Sequence, residues 1–272
     1  MTLIERRLFE HYEEALGLYP KERILGIFLQ GSQNYELDLP NSDVDTKCIL
    51  LPSIDDICRN NKPISTTHIR ENEEHIDLKD VRLMLQTFKK QNLNFLEILF
   101  TRYFILNEDY YELWMRLLNT REQIAAYDPL ACVRSMRGIA MEKFHAMEHR
   151  YPSKIELIDT IGYDPKQLHH LARIDKFLQR YVADIPFEQC MIPNPSDKKY
   201  LLDIKKAKYP LEKAREMAQY HLNSIDQLYA KYLVNKNYKR NEEIGNLIDQ
   251  TQADIIKRAL TIELGLKNKI ED

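Results

Sequence analysis

The sequence has little glycine, seven in 272 residues. Gly31, closing an apolar strand, and Gly162, just before a helix, therefore answer a need of the backbone. Cysteine is sparser still. Cys48, Cys58, Cys132 and Cys190 show no metal-ligand spacing and lie too far apart to read as a disulfide framework. They read as reduced thiols, which implies a cytoplasmic setting. Neither sign of charge dominates, with 39 Lys and Arg against 42 Asp and Glu and a net charge of −3. That balance excludes a protein that coats nucleic acid along its whole surface, so any polynucleotide contact must be a local patch. No apolar run is long enough to span a membrane. The opening segment carries charges from Glu5 onward, so neither a signal peptide nor an anchor is expected. Repeats and low-complexity stretches are absent.

What is present suits an enzyme of two small domains. The chain is 44% hydrophobic, enough to bury a sizeable core. Leu3, Ile4, Leu8, Tyr12, Ala15 and Leu16 recur at helical spacing. An apolar strand from Arg23 to Gln30 follows, then one from Val44 to Leu51, then two short strands bracketing the polar Arg70 to Glu74 loop. Helical periodicity then covers Val81 to Lys90, Phe95 to Phe100, Glu108 to Leu118, Pro129 to Arg150, a helix from Pro165, Leu211 to Leu233 and Asn241 to Leu264. Ile185 to Pro195 reads as a loop or linker. The expected class is α/β (α+β): a small mixed-sheet domain over 1–128 and an all-helical domain over 129–272.

The chemistry concentrates where the first two strands meet their loops. Gly31 and Ser32 follow the first strand directly. Asp43 and Asp45 stand two residues apart at the head of the second, so both carboxylates project from one face, with Val44 turned inward. Two hard anions at one point suit a divalent cation. Mg²⁺ takes oxygen ligands and keeps positions open for substrate phosphates. Two-metal phosphoryl transfer needs a third acid. Asp77, flanked by Ile76 and Leu78, fits best. Asp80 reads as an N-cap for the helix after it, and Glu74 as a loop residue.

A strand ending in Gly31-Ser32, then Ser42-Asp43-Val44-Asp45, then a single later Asp77, resembles the polymerase-beta-type nucleotidyltransferase superfamily. Gly162-Tyr163-Asp164-Pro165-Lys166, followed by His169, His170 and Arg173, resembles a helix of a bacterial and phage subfamily named for an RNA-repair pathway. Asn92 to Leu99 also fits that subfamily. The usual Tyr-Gly-Leu after the Gly-Ser turn is here Tyr35-Glu36-Leu37.

The resemblance implies transfer of a nucleoside monophosphate from an NTP to an acceptor hydroxyl, with pyrophosphate leaving. Asp43, Asp45 and Asp77 would be the catalytic acids and hold Mg²⁺, or Mn²⁺ in its place. Gly31, Ser32, Ser42, Lys166, His170 and Arg173 would contact the nucleotide. RNA is the acceptor that the resemblance favours; a protein side chain, a small molecule or a second nucleotide, as in a signalling-nucleotide synthase, stays open. So does a nucleotide-binding or toxin-neutralising partner without turnover.

On its own spacing, the helix from Pro165 has Asp164 as N-cap, Gln167 placed to close a capping box, and Lys166, His169, His170 and Arg173 on one side. Leu171, Ile174, Leu178 and Tyr181 share another side, expected to face the core. From Lys198 to Arg240 lysines and arginines, Lys236 among them, outnumber acids, with Tyr200, Tyr209, Tyr232 and Tyr238 interleaved. Such a mixture suits a phosphodiester backbone.

Overall fold

Ile24–Gln30 (β1) is apolar almost without alternation, and its burial extends over both faces. A strand of that kind belongs at the centre of a covered sheet. In the computed structural model, which describes residues 1–234 and 238–265, β1 lies between Asp45–Leu50 (β2) and Phe104–Leu106 (β5), antiparallel to both. Ser65–Ile69 (β3) and His75–Asp80 (β4) form a hairpin whose second strand runs parallel to β2, giving the order β3-β4-β2-β1-β5. The fold is thus α/β, a mixed five-stranded sheet with many helices.

Leu3–Leu18 is the helix expected at the start. A capping box between Thr2 and Glu5 begins it, and Leu8 and Ala15 join Ile24, Ile27, Cys48, Leu50, Ile76 and Leu78 in one core. Asp80 caps the Val81–Lys89 helix by accepting the Arg82 N–H. Trp114 of Tyr111–Asn119 packs against Phe28, ring centroids 4.7 Å apart.

Several elements differ from the sequence expectation. β5 was not foreseen, since three residues carry no usable period. Phe95 to Phe100 is a short helix, Leu93–Leu96, passing into a 3-10 turn, Glu97–Leu99. The Pro129 helix ends at Ala146. Within Ile185 to Pro195 lies a helix, Phe187–Met191, and Pro195–Lys205 is another, capped by Asn194.

The chain forms two compact units: residues 1–34, 38–127 and 241 onward make the first, residues 35–37 and 128–240 the second. The chain passes between the units at 34/35, 37/38, 127/128 and 240/241. The last helix, Glu242–Glu263, counts with the first unit instead of the second, because its Asn241 N–H donates to the Tyr127 carbonyl and its Asp249 and Asp254 pair with Lys89 and Arg116. In the second unit Pro165–Tyr181 is the central helix, packed by Pro129–Ala146, Pro195–Lys205 and Leu211–Val234. No helix among the described residues is long and apolar enough to cross a membrane.

Candidate active site at the head of strands one and two

The register Gln30↔Asp45 places the end of β1 beside the start of β2. Antiparallel neighbours lie about 4.8 Å apart, so the Gly31-Ser32 turn and the Asp43-Val44-Asp45 segment share one end of the sheet. A side-chain bridge reinforces this: Gln33 Nε2 donates to the Asp43 carbonyl at 2.7 Å. Gly31 has φ +97°, a left-handed conformation that L side chains rarely adopt. Its N–H donates to Glu97 Oε1 at 3.2 Å, and Asn34 ties the same turn to the Leu29 carbonyl at 2.9 Å and accepts the Thr101 hydroxyl at 2.7 Å. The turn is therefore held rigidly from behind. The Ser32 hydroxyl, half-exposed, bonds to nothing among the described residues.

Asp43 is exposed, and Asp45 is half-buried with Oδ1 accepting the His75 N–H at 2.9 Å. Between them the Val44 N–H donates to Glu74 Oε1 at 3.3 Å. Glu74, read from sequence as a loop acid, is buried and anchors this backbone. Asn72 and Arg70 donate to its other oxygen at 2.8 and 3.0 Å. That same oxygen lies 3.0 Å from His11 Nε2, while His11 Nδ1 lies 2.9 Å from the Thr46 hydroxyl. Burial alone would raise the Glu74 carboxyl, but the bonds from His11, Asn72 and the Val44 N–H outweigh it and hold it below the usual range. Burial, aided by the charge of Arg70, lowers His11. A neutral imidazole beside a carboxylate carries its proton on Nε2, so Thr46 donates to Nδ1. One sequence signal pointed here: His11 falls one turn from Leu8 and Ala15 on the buried stripe of its helix. Nothing in the sequence pairs it with Glu74.

Asp77 stands on the same strand face as its ladder partner Lys47, in the register Lys47↔Asp77. Both its oxygens are engaged, Oδ2 by Lys47 Nζ at 2.9 Å and Oδ1 by the Thr67 hydroxyl at 2.6 Å. Burial would raise this carboxyl; the Lys47 charge and the two bonds hold it low. Among the described residues, no three His, Cys, Asp or Glu side chains come together as a metal-binding group. Asp43 and Asp45 by themselves suit Mg²⁺ or Mn²⁺, since such an ion is held by one or two carboxylates with substrate phosphates filling the rest. Ser42 closes its own turn, its Oγ accepting the Leu39 N–H at 2.8 Å.

The second unit contains the other residues singled out. Gly162 caps the Ile155–Ile161 helix at φ +91°, and a Cβ there would lie 3.0 Å from Leu211 Cδ2, so both conformation and space require glycine. Tyr163, fully buried, donates its hydroxyl to the Tyr209 carbonyl at 2.9 Å. Asp164 caps the Pro165 helix through the Lys166 N–H; Gln167 reaches the Asp164 carboxylate at 3.4 Å instead of closing a box on the backbone. The helix does not present one solvated polar side. Lys166 is exposed, His170 half-buried, and His169 and Arg173 are buried, because other helices surround this one. Burial pushes His169 down to about 3 and His170 well below its usual value, so both are neutral.

Arg173 stacks its guanidinium 3.9 Å over the Tyr35 ring, while its Nε and Nη1 are buried and donate to nothing among the described residues. Glu36, in the place where the resemblance has glycine, takes φ +53°. Its carboxylate pairs with Lys198 at 2.9 Å, and Lys205 donates to the Leu37 carbonyl at 2.8 Å, so the 35–37 segment keeps a left-handed turn without glycine.

No family model matches the chain, and no curated protein matches it. Among solved structures it is similar to a nucleotidyltransferase-like protein from Exiguobacterium sibiricum, at 12% identity and a TM-score of 0.31, over 83% of this chain and 74% of that one.

Of the basic residues from Lys198 to Arg240, several are engaged within the unit: Lys208 with Asp203, Lys213 with Glu216, Arg215 with Glu148 and Arg240 with Asp128. Tyr232 and Tyr238 stack on each other at 3.9 Å. Tyr200 bonds to His221 at 2.8 Å. Lys236 lies outside the described residues.

Proposed function

We propose that the chain is a metal-dependent nucleotidyltransferase that moves a nucleoside monophosphate from an NTP to an acceptor hydroxyl and releases pyrophosphate. The observation that carries this is the Gln30↔Asp45 register, which sets a left-handed Gly31 and an uncommitted Ser32 hydroxyl at the end of the sheet where β2 begins with Asp45, Asp43 standing two residues before it. Asp43 and Asp45 are the residues that would hold Mg²⁺ or Mn²⁺, which supplies charge neutralisation to the phosphates. Ser32 donates its hydroxyl to a phosphate oxygen. Gly31 allows the backbone to approach closely, and Glu97, by taking its N–H, fixes the loop instead of leaving that donor to the ligand. Glu74 and Gln33 hold the segment between the two acids from opposite sides, so no reorganisation is needed when charge develops. In the second unit the unsatisfied guanidinium of Arg173 supports a phosphate-binding role, with Lys166 as a second cation on that helix and His170 as a neutral neighbour. The turn retained at Glu36 removes a reason to read the chain as a partner without turnover. RNA as the acceptor rests on the family resemblance.

The test is incubation with each α-labelled NTP, Mg²⁺ or Mn²⁺, and either RNA or whole lysate, followed by sorting of label into RNA, protein and small molecules. Incorporation is expected, and Asp43→Asn and Asp45→Asn should abolish it with the melting temperature kept. Equal turnover in both variants and wild type would sink the metal assignment.

A further inference from the structure

Next to the two acids is a cluster of charge that the proposed reaction does not use. On β2 the residues Asp45, Lys47 and Ile49 alternate onto one face, so Lys47 follows Asp45 along the strand by about 6.6 Å. Its side chain is only 4% exposed. The ammonium has two neighbours: Asp77 Oδ2 at 2.9 Å, and the Phe95 ring, whose centroid is 4.3 Å away. Lys79 reaches the same ring from the next position of β4, its Nζ 4.4 Å from the centroid. Phe95 thus seats two ammonium groups with Asp77 engaged by one of them. The local sum of Lys47, Lys79 and Asp77 is +1. A divalent ion placed on Asp77 would displace Lys47 from its carboxylate and stand within reach of both lysines. Like charges that close, partly desolvated, repel strongly. Among the described residues Asp43 forms no ion pair, and the ring nearest Asp45 is that of His75, its Nδ1 3.8 Å from Oδ1.

We infer that the chain is built for a single divalent ion at Asp43 and Asp45, and that the Lys47–Asp77–Lys79 cluster stands in for the second ion as a fixed positive charge. The inference rests on the nucleotidyltransferase reading and deepens it. Asp77 is then a positioning residue, holding Lys47 through Oδ2 while Thr67 fixes its Oδ1, and not a metal ligand. A fixed ammonium adds positive field without needing an ion to be recruited. It also accounts for Thr67, on the neighbouring β3, whose hydroxyl engages the second Asp77 oxygen at 2.6 Å, so that each oxygen already serves one donor.

The experiment is a Mn²⁺ titration of the full chain in the presence of a non-hydrolysable NTP analogue, read by the loss of the free-ion EPR signal. One ion per chain is expected. Asp45→Asn should weaken binding tenfold or more, and Asp77→Asn less than twofold. Because Asp77→Asn leaves Lys47 buried without its partner, the paired variant Lys47→Met with Asp77→Asn provides the same reading on a neutral pair. Two ions in wild type, or equal weakening by Asp77→Asn and Asp45→Asn, would overturn the single-ion inference and leave the transferase reading standing. No Mn²⁺ bound by wild type would overturn both.

Discussion

Acidification from pH 7 to pH 5 should destabilise the unit built around Pro165–Tyr181, and His169 should account for a defined part of the loss. The imidazole is 3% exposed, and its Nδ1 donates to the Leu201 carbonyl at 3.0 Å. Burial is the main cause that pushes it from an ordinary 6.5 down to about 3, with Arg173 adding to it against the Leu201 bond. The folded value lies below the unfolded one, so the fold favours the neutral ring. The contribution is complete above pH 6.5 and is lost as pH falls, because the unfolded chain takes up a proton that the folded chain refuses. At pH 5 the unfolded histidine lies about 1.5 decades into its protonated form, a loss of about 2 kcal/mol relative to pH 7. His170 and His11, also lowered by burial, add in the same direction. His169→Asn keeps a donor for Leu201 and removes the titration. Urea unfolding of both proteins at pH 7 and pH 5, followed by far-UV circular dichroism, should show the variant losing about 2 kcal/mol less than wild type over that interval. An identical loss in the two would refute the assignment.

Removing the buried acid in Glu74→Ala strips His11, Arg70 and the Val44 N–H of their acceptor and should cost about 3–5 kcal/mol in denaturant unfolding, whereas a loss under about 1 kcal/mol, the scale of an exposed pair, would show that the cluster is solvated. Arg173→Ala should raise the KM for NTP about tenfold, from a charge-assisted contact of about 1.5–3 kcal/mol, while Arg180→Ala, whose guanidinium serves the Ile192 carbonyl, should leave it near wild type; equal values in steady-state kinetics would remove Arg173 from nucleotide binding. Glu36→Gly relieves left-handed strain of about 1–2 kcal/mol and loses an exposed pair contributing under about 1 kcal/mol, so melting temperature and turnover should both stay close to wild type. A collapse of turnover with the fold intact would place Glu36 in the chemistry.

The sequence by itself determined what is local. Period-two and period-3.6 apolar patterns located β1, β2, the β3–β4 hairpin and the long helices, since these signals come from neighbours a few residues apart. The Gly31 turn was legible for the same reason, since a left-handed glycine is a property of adjacent residues, whereas β2 begins only at Asp45 and leaves Asp43 in the segment before it, outside the strand alternation. Asp80 and Asp164 declared themselves as caps through the helices they begin.

Tertiary structure decided everything that depends on partners distant in the chain. Glu74 and His11 look like a loop acid and a helix polar residue until the chain, 63 positions on, folds back to set them 3.0 Å apart. Asp77 satisfies every local requirement for a third metal ligand, yet strand register hands it to Lys47. The Pro165 helix has an amphipathic reading in isolation, but helices packed around it bury His169 and Arg173, and burial, not spacing, then keeps the His169 ring neutral and leaves two guanidinium nitrogens of Arg173 without partners among the described residues. The last helix reads as a continuation of the helical region, and its pairing to Lys89 and Arg116 returns it to the first unit. Periodicity reports which face of an element is apolar; what that face meets, and which charges are neutralised there, is set only when the chain closes on itself.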